Sequence, residues 1–250
     1  MIKEAIQYLL DLNIQPDERF VDITDPDGNN RTFVVDSEGS SREIKPIISR
    51  ASQSLRINTL TGLISYIKAN SERKNSNFYL QVFDEKTVYL KGTLDSEGER
   101  EALVEVNAIV PYFEYGRFMD TEQLIIAFQS KFTETVDRDL LLKVIGNVKE
   151  ENVRTTGDTG VAQAVTIKTG VASASDVVVP NPVQLAPYRT FLEVDQPTSS
   201  FIFRMKDGPT GAIFEADGGA WRNQAITNVR DYLQKELESE MADGKIIIIA

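Results

Sequence analysis

The 250-residue chain contains no histidine, no cysteine and a single tryptophan. Lacking histidine, it lacks the one side chain whose ordinary pKa lies near neutrality. Lacking cysteine, it has no thiolate nucleophile and no disulfide, and with both gone it has neither of the usual zinc ligands. Any chemistry falls to carboxylates, lysine, tyrosine or hydroxyls. Long hydrophobic runs are missing too: nothing approaches the roughly 20 apolar residues of a spanning helix, so no membrane partner is expected. Met1 to Leu12 includes Lys3, Glu4 and Asp11 without a small-residue cleavage site, which does not read as a secretory signal. With neither export signal nor disulfide framework, the expected location is the cytoplasm.

Apolar residues make up 41% of the chain and charged residues 26%, enough to build a globular core. The net charge of −11 is concentrated in two stretches. Between Asp95 and Glu122, eight acidic residues face only Arg100 and Arg117; between Asn13 and Ser40, seven face only Arg19 and Arg31. A field of this sign repels phosphate backbones and keeps a protein soluble. It disfavours generic coating of DNA but leaves room for a local basic groove.

Hydrophobic spacing predicts helices at Ile2–Leu10 and at Leu60–Ile67, the second ending near Asn70. Phe20–Asp25 and Thr32–Asp36 read as strands around the turn Pro26-Asp27-Gly28-Asn29. Phe78–Phe83, Val88–Leu94 and Ala102–Val110 read as a meander. A helix is expected from Asp120, with Leu124, Ile125 and Phe128 on one face, then a break at Thr135–Asp139 and a second helix over Leu140–Val148. Val153–Thr156 and Gln163–Gly170 flank Gly157-Asp158-Thr159-Gly160 as a hairpin, and Ala172–Pro187 reads as an extended connection. Tyr188–Val194, Ser200–Lys206 and Ala212–Ala216 complete a second β region, closed by a helix from Ala220 to Glu240. The four isoleucines after Lys245 read as a strand that must be covered, by this chain or by a second copy.

The expected fold class is therefore α+β, with mostly antiparallel sheets, several flanking helices and a C-terminal helix followed by the Ile-rich strand. Residues 1–116 form an expected N-terminal α+β region and 117–250 a helical middle with a C-terminal β region, as two domains or one continuous one.

Motifs for catalysis are weak. Asp158-Thr159-Gly160 matches the triplet of aspartic proteases but follows Thr155-Thr156-Gly157 rather than an apolar strand, and turn chemistry explains it. Asp25, Asp27, Asn29 and Asp36 fit part of a calcium-loop template, yet Asn30 stands where glycine is needed. Glu101, Glu105, Glu114 and Asp120 are oxygen ligands of the type that suits Mg²⁺, although a solvated sheet face is the plainer reading of the first two. Phosphate-binding and hydrolase glycine motifs are absent. No catalytic residue, metal or cofactor is assigned.

The densest cluster of unusual residues lies near the C-terminus. Arg189, Arg204 and Arg222 are joined there by Trp221 and by Gly218-Gly219 ahead of a helix, where backbone N–H groups can meet an anion. These six residues are the candidate ligand site. The plainer reading makes Asp217 the helix cap and Trp221 a core anchor.

The same segments carry a resemblance. Pro180-Asn181-Pro182, Leu185-Ala186-Pro187-Tyr188-Arg189-Thr190-Phe191, Glu193-Val194, Gln196-Pro197, Phe203-Arg204 and Glu215-Ala216-Asp217-Gly218-Gly219-Ala220-Trp221, with Leu60-Thr61-Gly62-Leu63 and Tyr66-Ile67, resemble the YfdQ-like family of uncharacterised phage and prophage proteins. This resemblance, over about residues 57–238, implies a phage-encoded intracellular protein of the kind found near replication and recombination genes. It supplies no catalytic residue.

The expectation is a non-enzymatic accessory protein, a homo-oligomer, that acts by binding a host or phage partner. Counter-defence is one route, by occupying a host protein or sequestering a nucleotide signal. The alternative is single-stranded nucleic-acid binding beside a recombinase, with Tyr188, Phe191, Phe201 and Trp221 stacking bases; a carboxylate-metal nuclease is the third class.

Overall fold

The computed structural model describes residues 20–24, 28, 30–35, 40–44, 50–70, 77–95, 98–147, 163–169, 173–206, 208 and 210–250. The expected opening helix and the Gly157–Gly160 hairpin lie outside these residues. Contacts divide the chain into a smaller unit, residues 1–52 with 94–99, and a larger one, residues 53–93 with 100–250.

In the smaller unit, β1 (Phe20–Thr24), β2 (Asn30–Val35) and β3 (Ser41–Ile44) form an antiparallel sheet. Phe20 lies opposite Val34 and Thr24 opposite Asn30, while Asp25, Asp27, Asn29 and Asp36 of the calcium-loop template lie outside the described residues. Arg50 pairs with both Asp95 and Glu99.

The larger unit contains most of the fold. Its five-stranded sheet has the order β14-β5-β6-β7-β4, from β4 (Leu55–Ile57), β5 (Phe78–Val82), β6 (Thr87–Leu94), β7 (Arg100–Asn107) and β14 (Ile246–Ile249). The two edge strands run parallel to their neighbours. Alternation places Leu80, Val82, Val88, Leu90 and Val106 on one face, where α1 (Leu60–Ala69) and α4 (Trp221–Glu236) cover them through Leu60, Leu63, Val229 and Leu233. Thr59 caps α1 by accepting from the Gly62 N–H, and Asn70 ends it in a left-handed conformation.

A second core fills the space beneath a four-stranded antiparallel sheet of order β11-β12-β13-β8, made of β11 (Val183–Leu185), β12 (Ser199–Lys206), β13 (Thr210–Glu215) and β8 (Met119–Asp120). Helices α2 (Thr121–Lys131) and α3 (Val136–Asn147) pack on it through Leu124, Phe128, Leu141 and Ile145. Asp120 caps α2 by accepting from the Gln123 N–H at 2.7 Å. The break between the two helices falls at Phe132–Thr135, a little earlier than expected.

The α+β class is observed, with the closing helix followed by its Ile strand. Several details differ. The strand β9 (Gln163–Thr169) pairs with β10 (Ser173–Val179), inside the segment expected to be a plain connection, and β11 lies in that segment too. Tyr188–Val194 is no strand. It is a loop, four of whose backbone groups are met by one side chain, described below. The last helix stops at Glu236 and resumes as α5 (Glu238–Ala242) after Leu237, whose own side chain is buried. β14 returns from the C-terminal end to pair Ile246 with Phe78, so one sheet takes strands from both sides of residue 116. Among the described residues no helix is long and apolar enough to cross a membrane.

Candidate functional site

The loop between β11 and β12 is organised by Gln196. Its Oε1 accepts from the Arg189 and Thr190 N–H groups, at 2.9 and 3.2 Å. Its Nε2 donates to the Phe191 and Val194 carbonyls, at 2.9 and 3.2 Å. One amide thus satisfies four backbone groups that would otherwise need a strand partner. The buried Thr190 hydroxyl donates to the Glu85 carbonyl and fixes the β5–β6 turn beside this loop. On the loop's far side, Glu193 accepts from the Thr61 N–H at 3.3 Å. The segments 60–67 and 185–197 therefore meet at the start of α1.

That framework places the Arg189 guanidinium inside the protein, where the residue is only 6% exposed. It donates to Glu215 Oε1 at 3.0 Å and to Ser199 Oγ at 2.6 Å. Its Cζ lies 3.9 Å from the Trp221 ring centroid and 5.6 Å from that of Phe201. Tyr115 stacks on Phe201 at 5.5 Å, near enough to the same guanidinium for the two to feel each other's charge. Burial pushes the Tyr115 phenol up to about 12, against the pull of Arg189. Burial also lowers Arg189, opposed by Tyr115 and Glu215.

Two N–H donors are left over. Arg189 Nε and Trp221 Nε1 are buried with no hydrogen-bond partner in the protein. Orphaned buried donors of this kind cost about 1–3 kcal/mol each, and their residues border a cleft of about 340 Å³. The lining carries four cations, Lys86, Lys131, Arg189 and Arg222, against Glu85 and Glu215. A local positive balance thus sits within a chain of net charge −11. Aromatic walls come from Tyr112, Phe113, Tyr115, Tyr188 and Trp221. Arg222 lies 4.9 Å from the Trp221 ring and 3.7 Å from Glu85. Its side chain is half exposed, so it can turn toward a ligand.

Of the six expected residues, Arg189, Trp221 and Arg222 border this cleft. Arg204 does not; it donates back to its neighbour's carbonyl, Phe203 O, at 3.2 Å. Gly218 and Gly219 do not line it either, since the anion position at the helix start is filled by the protein itself. Asp217 accepts there from the Gly219 and Trp221 N–H groups, at 3.0 and 3.3 Å. Gly219 acts indirectly: at φ +84 it carries no Cβ, and a Cβ there would strike Nη1 of Arg222. Phe191 and Phe201 belong to the cores and offer no face to a base.

The carboxylates considered for Mg²⁺ have other duties. Glu105 faces Arg56 at 3.6 Å, Glu114 accepts from Arg117 at 2.8 Å, and Asp120 caps α2. Among the described residues, no group of three or more carboxylates is placed to hold a metal. Sequence reasoning missed Lys86, Lys131, Tyr112, Tyr115 and the organising role of Gln196. An available signal was Tyr112-Phe113-Glu114-Tyr115 between Pro111 and Gly116, an aromatic run with no helical or strand period. Compared with family models, curated proteins and solved structures, the chain matches none.

Proposed function

We propose that this chain is a non-catalytic phage accessory protein that binds a nucleotide in the Arg189–Trp221 cleft, sequestering it inside the host cell. The observation that carries this reading is the pair of orphaned donors, Arg189 Nε and Trp221 Nε1, beside a cleft with four cations and five aromatic rings. A planar base suits the aromatic walls and a phosphate suits the basic rim. A further support is that the family-like segments at 185–197 and 215–221 build this cleft. The single-stranded nucleic-acid alternative draws less support, because Phe191 and Phe201 lie in the cores and Trp221, although it borders the cleft, is also buried, which leaves only Tyr188 of its four stacking residues more open. A homo-oligomer is proposed with it. Ile247 and Ile249 stay 45% and 48% exposed on edge strand β14, where a second copy can pair.

Native mass spectrometry of the protein purified from phage-infected host cells tests this reading. A homo-oligomer that retains a nucleotide-sized mass, lost in Arg222→Ala, is the expected result. A ligand-free species, with no nucleotide bound on later addition, overturns it.

A further inference from the structure

A second hollow, of about 240 Å³, adjoins the cleft. Tyr112, Phe113 and Lys131 border both, so the two are lobes of one groove divided by the Tyr112–Phe113 segment. Phe113 is fixed from below by edge-on contacts with Tyr115 and Phe132, at 5.0 and 5.2 Å. Tyr112 stands out between the lobes, 77% exposed, with a ring face free to receive a planar group. Lys131 sits at the seam. Its Nζ donates to the Tyr112 carbonyl at 2.7 Å, which leaves two N–H donors. The second lobe repeats the chemistry of the first on a smaller scale. It has its own arginine, Arg117, paired with Glu114 at 2.8 Å and largely exposed, together with Gln123 and the apolar Met119 and Ala127.

From this arrangement we propose that the groove takes a dinucleotide, two nucleosides bridged by phosphate, with the bridge at Lys131 and one nucleoside in each lobe. The inference rests on the nucleotide reading above and extends it to a second subsite. Three features favour two units over one. The first lobe alone lies at the low end of the roughly 300–1,000 Å³ of small-molecule sites, and the two lobes together fall well inside that range. Each lobe has an arginine near its rim. The cation that both share lies between them, where a bridging phosphodiester would carry its charge.

Titrating the full chain with the four ribonucleoside monophosphates, and separately with the four 5′-phosphorylated homodinucleotides, tests the inference. Calorimetry gives the affinities. At least one dinucleotide is expected to bind tenfold or more tighter than its mononucleotide, and Arg117→Ala is expected to shrink that ratio threefold or more. Arg117 is exposed, so its removal leaves the fold intact; circular dichroism verifies this. A dinucleotide that binds no tighter than its mononucleotide overturns the second subsite while leaving the nucleotide reading in place. So does a ratio unmoved by Arg117→Ala. If a ten-nucleotide single strand outcompetes every dinucleotide, the groove is a strand-binding path and the inference fails. Absence of binding by all of them overturns both this inference and the reading beneath it.

Discussion

Gln196 is the residue on which the site's geometry most depends. Its four hydrogen bonds hold the loop that carries Arg189, and each group left unpaired on truncation costs about 1–3 kcal/mol. Gln196→Ala is expected to lower stability by about 2–4 kcal/mol in urea unfolding, whereas Gln196→Glu, which cannot donate to the two carbonyls, recovers only part of that. Tyr115 makes a different prediction. Its phenol stays protonated in the fold up to about pH 12, while in the unfolded chain it ionises near 10. Between those values the unfolded state binds fewer protons, so the contribution is complete below about pH 10 and is lost as pH rises toward 12. The expected loss is on the order of 2 kcal/mol. Denaturation midpoints at pH 9.5 and 11.5 should diverge less in Tyr115→Phe than in the parent; equal divergence would show that Tyr115 is not the group responsible. Gly219→Ala should displace the Arg222 side chain, and weaker ligand binding with little loss of the helix is the expected outcome.

At the scale of elements, the strand β14 separates burial from composition. Its four isoleucines are chemically alike, yet Ile246 is buried and Ile247 and Ile249 are half exposed. Ile246→Ala is expected to cost about 2–4 kcal/mol and Ile247→Ala under about 1 kcal/mol, by the difference in apolar contact each loses. Similar costs for the two would mean that both faces of the strand are covered. Elements with a clear period were legible in the sequence. The stripe at Leu60–Ile67, the meander from Phe78 and the paired strands on either side of Gly28 all appear where spacing put them. What spacing could not show was pairing. Gln163–Thr169 could join either of two neighbours, and it pairs forward with Ser173–Val179, Thr169 opposite Ser173, in a segment whose composition reads as a connection. Tyr188–Val194 looks like a strand by composition, but Gln196 satisfies four of its backbone groups from within the loop. In the same way, Arg189, Trp221 and Arg222 stood out as unusual residues, whereas Lys131 and Tyr115 reach the cleft from a helix end and a distant loop that no local pattern links to it.

Across the whole molecule, charge and site oppose one another. A surface with a net charge of −11 repels an anionic ligand at a distance, while the cleft attracts it locally. Salt screens the long-range part first, because the Debye length is about 8 Å at physiological ionic strength. Raising salt modestly from low values should therefore speed association with the nucleotide, in contrast to the slowing found for a basic nucleic-acid-binding surface. Stopped-flow rates at several ionic strengths measure this directly.

Because Trp221 is the chain's one tryptophan and lies in van der Waals range of Arg189, its emission reports on the cleft without a label. The deciding measurement is that emission during titration with the four ribonucleoside monophosphates, in the parent and in Arg222→Ala. The account predicts a saturable change for at least one nucleotide, weakened tenfold or more by the substitution. A flat response to all four, or a response that Arg222→Ala leaves unchanged, would contradict the claim that this cleft binds a nucleotide.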